Sequence, residues 1–140
     1  MKENLAKIIE GSNQSFEVTR EILQTCMDAK GNDIRALDVS KSFGLSDYFV
    51  IASGKSDRQV QGIANKIINT LEKNGVQPLT IEGMEEGQWV IIDCGDVVAH
   101  ILYEPMRDHF DLESLWIKAP KLDLNKHFKI KEVSQERRVA

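Results

Sequence analysis

The sequence has few cysteines and no long apolar segment, and both absences narrow the classes of protein it could be. Its 140 residues include two cysteines, Cys26 and Cys94, which lie far apart and form no Cys-x-x-Cys pair. This usage argues against a zinc ribbon and suits a reducing compartment. No apolar run approaches the roughly 20 residues that span a bilayer. Residues 1–4 also lack the order of a secretory signal, in which basic residues are followed by apolar ones. We therefore expect a cytoplasmic protein.

Length and charge predict one globular domain with a basic tail. Residues 1–116 carry 11 basic and 19 acidic side chains, whereas residues 117–140 carry 7 basic and 3 acidic ones. An acidic body repels nucleic acid and favours a basic protein as partner. We divide the chain into an N-terminal extension (1–14), a domain (15–116) and a basic C-terminal tail (117–140). The tail is interpreted as a solvated terminus, with contact to RNA as the alternative.

The hydrophobic pattern predicts eight secondary-structure elements. Apolar residues at three- and four-residue spacing indicate two long helices, the first capped by Ser15 and ended by Gly31, the second capped by Ser56 and Gln59. Pro105 begins a last, short helix. Five strands are predicted, the second of them buried on both faces, at residues 34–39, 48–52, 79–82, 89–93 and 97–103. This order predicts an α/β (α+β) fold with a mixed sheet of about five strands covered by helices.

Gly54-Lys55-Ser56 follows a predicted strand and precedes a predicted helix, where a phosphate-binding loop would lie. Such a loop needs another glycine five positions before the Gly-Lys pair, and that position holds Phe49. A turn and a helix cap explain all three residues. We therefore do not expect nucleotide hydrolysis.

The same order of strand, turn and helix occurs in the nucleotidyltransferase fold, whose catalysis needs two carboxylates on one face to hold magnesium. Asp93 and Asp96 are separated by a tight turn, and Glu82 and Glu104 stand alone at strand ends. The sequence therefore predicts a nucleotidyltransferase-like fold without catalytic carboxylates, and no catalytic residues.

The histidines and cysteines do not suggest a metal site. Cys94 and His100 could approach each other across a hairpin, but no third or fourth ligand is evident. His100 is interpreted as a partly buried histidine, and Cys94 as a small buried side chain. We expect neither a metal nor a cofactor.

Three features exceed what folding alone requires. Trp89 follows the acidic, glycine-rich residues 82–87 and is interpreted either as core or as the centre of a protein interface. Asp93 and Asp96 flank a hairpin turn, where their carboxylates could pair with arginine or lysine. Residues 107–113 carry more charged side chains than a helix would need if its only role were to cover the core.

These residues belong to a pattern that resembles the ribosomal silencing factor family, also called Iojap-like. The first half of the pattern comprises Ala29-Lys30-Gly31-Asn32-Asp33-Ile34, Leu37-Asp38-Val39, Asp47-Tyr48-Phe49-Val50-Ile51-Ala52-Ser53-Gly54, Ser56, Arg58, Gln59 and Val60. The second half comprises Glu82-Gly83, Trp89, Asp93, Gly95-Asp96-Val97-Val98, His100, Arg107, Phe110-Asp111-Leu112-Glu113 and Leu115-Trp116. The match covers about residues 16–116, and Cys94 and Ala99 depart from the bulkier residues usual in the family.

The resemblance implies a nucleotidyltransferase-like fold and a regulator that is not an enzyme. Family members bind the large ribosomal subunit through its ribosomal protein fourteen, block joining of the small subunit and repress translation under nutrient limitation. The resemblance implies a partner surface formed by Trp89, Asp93, Cys94, Gly95 and Asp96. We add three neighbouring residues to that surface: His100, Glu104 and Arg107.

Two other functions stay open at this point. One is a divergent nucleotidyltransferase that uses Ser53, Gly54 and acids such as Asp93 on a nucleotide. The other is an assembly factor for the large subunit that does not block subunit joining. A homodimer and a contact between the tail and ribosomal RNA are further expectations, and we expect no membrane partner.

Overall fold

The computed structural model describes residues 14–41, 46–110, 114 and 119–130. In these residues two long helices, α1 (Gln14–Asp28) and α2 (Asp57–Lys73), alternate with strands, and a short helix, α3 (Glu104–Phe110), follows the last strand. The five strands are β1 (Asn32–Asp38), β2 (Tyr48–Gly54), β3 (Thr80–Glu82), β4 (Trp89–Asp93) and β5 (Val97–Tyr103). The predicted order of elements is confirmed, and so is the mixed five-stranded sheet covered by helices.

The strands form one sheet in the order β1-β2-β5-β4-β3. β2 and β5 are parallel, and the other three pairs are antiparallel. β2 lies beside β5, the central strand of the sheet. Its four consecutive residues from Val50 to Ser53 are buried, as predicted for a strand that is covered on both faces. The hairpin of β4 and β5 turns at Gly95. Its backbone has a φ of 89°, a conformation that glycine adopts more readily than residues with a Cβ atom.

Both long helices pack on the same face of the sheet. The buried residues of α2 follow the three- and four-residue spacing of one helix face: Val60, Ile63, Ala64, Ile67 and Leu71. They share one core with α1 and with alternate residues of the strands, among them Val50, Ala52, Val90, Ile92, Ala99 and Ile101. Because successive side chains in a strand point to opposite faces, the remaining strand residues form a second face, which the long helices leave uncovered.

The ends of α1 differ from the predicted caps. Ser15 is the second residue of the helix, and its backbone oxygen accepts a hydrogen bond from Thr19 Oγ1, so the prediction of Ser15 as the N-cap is wrong. At the other end, the N–H of Lys30 donates to the Met27 carbonyl and the N–H of Gly31 donates to the Cys26 carbonyl. These are the two bonds of a Schellman motif, and its left-handed residue is Lys30, with φ 63°, rather than Gly31.

α2 begins with the predicted pair of capping residues. The hydroxyl of Ser56 accepts a hydrogen bond from the Gln59 N–H at 3.0 Å. The Gln59 side chain reaches back to accept from the Lys55 N–H at 2.6 Å, one residue before the position usual in a capping box. The cap and the strand before it therefore account for Gly54-Lys55-Ser56 structurally.

The described part of the tail packs on the domain. The N–H of Asp38 donates to the carbonyl of Pro120, and the N–H of Leu122 donates to the carbonyl of Ala36, so residues 120–122 run along β1. A single π-helical turn follows, Leu124–Phe128, and the ring of Phe128 is 1% exposed. The interpretation of the tail as solvated is therefore wrong for residues 119–130.

Several predicted features lie outside the described residues. They are most of the N-terminal extension (1–13), the end of the tail (131–140), Asp111-Leu112-Glu113 and Leu115-Trp116. The predicted division into extension, domain and tail stays a prediction. In the residues that the structure describes, no helix has the length and apolar character needed to cross a membrane.

Candidate functional site

The face of the sheet opposite the long helices carries a row of partly exposed side chains. Five of them, which we call the Trp89 patch, come from three adjacent strands: Phe49, Trp89, Ile91, Asp93 and Val98. The patch surrounds His100, which is 6% exposed. Beneath and beside the patch lies a small second core of Leu37, Val39, Ile51, Leu102 and Ala119. Large apolar rings thus remain accessible on a rigid sheet.

Trp89 is held in place by contacts on two sides. Its Nε1 donates a hydrogen bond to Nδ1 of His100 at 3.2 Å. Its ring centroid lies 5.0 Å from that of Phe110 in α3, and Phe110 is 42% exposed. The rings of Phe49 and His100 pack in an edge-to-face arrangement, with centroids 5.1 Å apart. Trp89 is thus partly exposed and held by contacts with two neighbouring rings, which is the state that suits an interface anchor.

The environment of His100 keeps its imidazole neutral. Burial lowers the pKa of His100 from 6.5 to about 4, although the carboxylate of Asp93 acts in the opposite direction. A neutral ring has one nitrogen that can accept a hydrogen bond, and Trp89 donates to Nδ1, so the ring proton belongs on Nε2. His100 therefore orients Trp89 rather than acting as an acid or base at neutral pH.

A tight glycine contact fixes the start of β4 beside Trp89. Gly83 has a φ of 82°, and a Cβ atom placed there would clash with the carbonyl oxygen of Trp89. The N–H of Gly87 donates to the carbonyl of Gly83, which closes the turn before the strand. The Gln61 side chain of α2 donates to two carbonyls of this turn. The position of Trp89 is thus set by the turn before it as well as by its ring contacts.

The hairpin turn at the other end of β4 is also rigid. Asp93 Oδ1 accepts a hydrogen bond from the Gly95 N–H at 2.8 Å. The carbonyl of Asp96 accepts from the N–H groups of Asp47 and Tyr48, at the start of β2. The Asp96 side chain is exposed, whereas those of Asp93 and Cys94 are partly exposed. The turn therefore presents one exposed carboxylate, that of Asp96, and one that is partly exposed and accepts a hydrogen bond, that of Asp93.

Cys94 does not have the properties of a nucleophile. Burial raises the pKa of its thiol to about 11, and the negative charge of Asp93 adds to this effect. At neutral pH the thiol is protonated, and a protonated thiol is a poor nucleophile and a poor metal ligand. In the ranges that the structure describes, no three side chains of the types that bind metals come together.

Glu104 and Arg107 lie in α3, at the opposite end of β5 from the hairpin turn. The Arg107 guanidinium is 6% exposed and donates to the Asp33 carbonyl at 2.7 Å and to the Ser53 hydroxyl at 2.8 Å. Glu104 accepts a hydrogen bond from the side-chain amide of Asn32 at 2.8 Å. These contacts join α3 to the start of β1 and the end of β2, and so hold Phe110 against Trp89.

The structure brings some predicted site residues together and separates others. Trp89, Asp93 and His100 share one face of the sheet, Cys94, Gly95 and Asp96 form the hairpin turn, and Glu104 and Arg107 anchor α3. Sequence reasoning did not include Phe49, Ile91 and Val98 in the surface. Counting every second residue from Trp89 along β4 would have found Ile91, but the other two also require the register between β2 and β5.

Comparison with known proteins gives a consistent set of relatives. A family model described as "Ribosomal silencing factor during starvation" matches residues 12–140. The protein named "Ribosomal silencing factor RsfS" of Bacillus subtilis is 43% identical over 100 residues, which are 71% of this chain and 85% of that protein.

Solved structures and more distant relatives agree. A crystal structure of a Chromobacterium violaceum protein has a TM-score of 0.71 and 40% identity, and the match covers 72% of this chain and 84% of that one. A mouse protein named "Mitochondrial assembly of ribosomal large subunit protein 1" is 31% identical over 87 residues, which are 60% of this chain and 38% of the mouse protein.

Proposed function

The chain belongs to the ribosomal silencing factor family, and we propose that it represses translation by binding the large ribosomal subunit and preventing the small subunit from joining. Family membership makes it a regulator of translation, and the proposal concerns how it regulates. Ribosomal protein fourteen of the large subunit is the proposed partner. The proposal predicts a cytoplasmic protein, a binding role with no chemical step, and repression under nutrient limitation.

The observation that carries the proposal is the restrained, partly exposed Trp89 at the end of the Trp89 patch that lies next to α3. Tryptophan is among the residues most enriched at the energetic centre of interfaces, and rigid placement lowers the entropy lost on binding. An interface of standard size buries about 800 Å² on each partner, which is more than one side chain supplies. The rest of the Trp89 patch and the neighbouring hairpin turn would provide that area.

The proposed partner surface has a centre and two flanks. Trp89 is the central anchor, and Asp96 with Asp93 supplies carboxylates for a basic partner. Cys94 and Gly95 supply the shape of the turn. The remaining three residues of the proposed surface are largely unavailable to a partner. His100 and Arg107 are each 6% exposed, and Glu104 accepts a hydrogen bond from Asn32. Their proposed role is to position the exposed groups.

The test is sedimentation of the purified protein with separated ribosomal subunits, followed by addition of the missing subunit. We expect co-migration with the large subunit and fewer whole ribosomes. Asn69→Ala, on the exposed side of α2, is the matched control and should behave as the wild type. If the protein binds the large subunit and whole ribosomes still form, the blocking mechanism is wrong.

That last outcome would favour the second candidate, a role in large-subunit assembly. The mouse relative is named for the assembly of the ribosomal large subunit, so a protein with that name contains a related sequence. Silencing acts on mature subunits, whereas assembly acts on immature ones. Binding to mature and precursor large subunits, compared side by side, distinguishes the two.

A third candidate is an enzyme that acts on nucleotides, and it makes a different prediction. Such an enzyme would bind a nucleotide in the presence of magnesium, which calorimetry would detect. The proposal predicts no heat of binding for nucleotide with magnesium. A homodimer is a separate expectation, which sedimentation velocity of the free protein tests.

The tail provides a further proposed contact, to ribosomal RNA. Lys121, Lys126 and Lys129 are exposed in the part of the tail that packs on the domain. If they contact phosphates, replacing all three with glutamine should weaken binding and reduce its dependence on salt. Because Phe128 lies among them and is buried, charge removal is a better test than deletion of the tail. Unchanged affinity and unchanged salt dependence would remove this contact.

A further inference from the structure

The two edge strands of the sheet differ in whether another segment of the chain pairs with them. β1 is the outer strand on one side. Residues 120–122 of the same chain run along it, and two backbone hydrogen bonds form the bridge that pairs Leu37 with Lys121. β3 is the outer strand on the other side, and in the part of the chain that the structure describes no strand pairs with its outer side. Edge strands offer backbone groups to which another chain can add.

Exposed apolar side chains lie in β3 and immediately before it. Leu79 is 71% exposed and Ile81 is 42% exposed. Ile81 pairs with Ile92, a residue of the core beneath the long helices, so Ile81 lies on the opposite face of the sheet from Trp89. Leu79, two residues earlier, lies on the same side as Ile81. These two side chains therefore do not belong to the Trp89 patch.

The polar surroundings of this edge are acidic. Glu82 is exposed at the end of β3, and Glu85 and Glu86 are exposed in the turn that follows. That turn is fixed on α2, because Gln61 donates to the carbonyls of Met84 and Glu85 at 3.0 Å each. The carboxylates are therefore held close to the edge strand. They repel nucleic acid and attract basic side chains.

We propose that β3 is a docking edge at which a partner protein adds an extended segment with alternating apolar and basic side chains. In an added strand, the residues beside Leu79 and Ile81 would be apolar, and those beside Thr80 and Glu82 would be basic. Backbone hydrogen bonds hold the segment, and the side chains select it. The site goes beyond the proposed contact at the Trp89 patch and does not depend on it.

Charge argues against a second copy of the chain as the occupant. Two β3 strands paired edge to edge would bring two sets of Glu82, Glu85 and Glu86 together. Like charges on adjacent strands are destabilising. A basic segment meets the same carboxylates with attraction, so the edge favours a different protein as partner.

The test uses the capped heptapeptide of alternating lysine and valine, with lysine at both ends, and the full-length chain labelled with nitrogen-15. We expect the amide signals of residues 79–82 and 91–93 to shift on titration, whereas those of β1 stay in place as an internal control. The same peptide with glutamate in place of lysine should bind at least tenfold more weakly. No shift at residues 79–82 would overturn the proposal.

Two backbone-methylated peptides show whether binding is by strand addition. One carries methyl groups on its valine amides and the other on its lysine amides. Alternate amides of a strand point to opposite edges, so one of the two should lose binding at least tenfold and the other should keep it. Equal binding of both would mean contact through side chains alone and would overturn strand addition.

Variants of the chain locate the site. Leu79→Lys combined with Ile81→Lys should weaken peptide binding at least tenfold, because it removes the apolar contacts and adds positive charge. Asn65→Lys combined with Asn69→Lys adds the same charge on the exposed side of α2 and should leave binding within a factor of two. A homodimer of the free chain that the first pair of substitutions dissociates would overturn the proposal in favour of a second copy.

Discussion

Nε1 of Trp89 donates a hydrogen bond to Nδ1 of His100 over 3.2 Å, and this bond joins a partly exposed ring to a buried one. The two residues stand on adjacent strands and face the side of the sheet that the long helices leave uncovered. The buried partner limits the orientations of the exposed partner. A restrained, partly exposed indole on this face of the sheet is the physical basis of the proposed ribosome contact.

Replacing Trp89 with alanine should weaken binding to the large subunit by about 2 kcal/mol or more, roughly thirtyfold, because the central anchor is lost. Trp89→Phe keeps an aromatic ring but not the N–H, and should cost about 1 kcal/mol. Titration of the large subunit with fluorescently labelled protein measures both. Urea unfolding of each variant is the control. If Trp89→Ala lowers stability but leaves affinity unchanged, Trp89 is a core residue and the patch is elsewhere.

The lowered pKa of His100 predicts how the stability of the fold depends on pH. The pKa of His100 is about 4 in the folded chain against 6.5 as its ordinary value, because burial disfavours the charged ring. Between these values the unfolded state binds a proton that the folded state does not. The free energy of unfolding should therefore fall as the pH falls from 6.5, by up to about 1.4 kcal/mol per pH unit, and should not depend on His100 above 6.5.

The measurement is urea unfolding of wild type and His100→Gln at pH 5, 6 and 7. Glutamine can still accept from the Trp89 indole but does not titrate, so the difference in stability between the two proteins should change between pH 5 and 7. Groups that do not interact with His100 are common to both proteins, so their contributions cancel in that difference. A difference that is constant with pH would show that His100 titrates alike in the folded and unfolded states.

Substitution of Arg107 should lower the free energy of unfolding, and any effect on ribosome binding should follow from that loss. Its guanidinium donates to the Asp33 carbonyl and the Ser53 hydroxyl, and it lies 3.6 Å from the Asp33 carboxylate. Asp33 has a φ of 49° at an irregularity in β1, so Arg107 braces a strained position. Arg107→Lys, which cannot reproduce this fork, should cost about 3 kcal/mol of unfolding free energy.

A double-mutant cycle with Ser53→Ala isolates one of these contacts. We expect a coupling energy of about 1 kcal/mol between the two positions, since a buried hydrogen bond to a charged group is lost in either single variant. Asp108→Ala, at an exposed neighbouring position, is the control and should leave stability nearly unchanged. Weaker ribosome binding by Arg107→Lys at wild-type stability would assign Arg107 to the interface itself.

Local patterns were enough to predict the strands β4 and β5, since two mainly apolar runs flank a glycine turn. They did not predict Lys30 in a left-handed conformation, because local rules place glycine there and tertiary contacts decide otherwise. The Trp89 patch was predicted in part. Its members on β2 and β5 come together through strand register, which pairs residues about 50 positions apart and leaves no local signal.

The tail was the clearest failure of local reasoning, and its correction makes the last prediction. Phe128 lies between His127 and Lys129 in a segment rich in lysine, a context typical of a solvated terminus. In the fold its ring stacks on Phe16 of α1 at 5.0 Å and contacts the edge of Tyr48 of β2 at 5.8 Å. One buried ring thus ties the tail to the first helix and a central strand.

Phe128→Ala should therefore cost about 4 kcal/mol of unfolding free energy, the range for removing a fully buried phenylalanine. Lys126→Ala, two residues away and exposed, should cost less than about 0.5 kcal/mol. Both are measured by urea unfolding at pH 7, where His100 makes no difference between variants. Because residues 120–122 run along β1, the loss of Phe128 should also speed hydrogen exchange at the Asp38 amide, which donates to Pro120. Equal stability of the two variants would mean that the buried Phe128 ring contributes nothing to the stability of the fold.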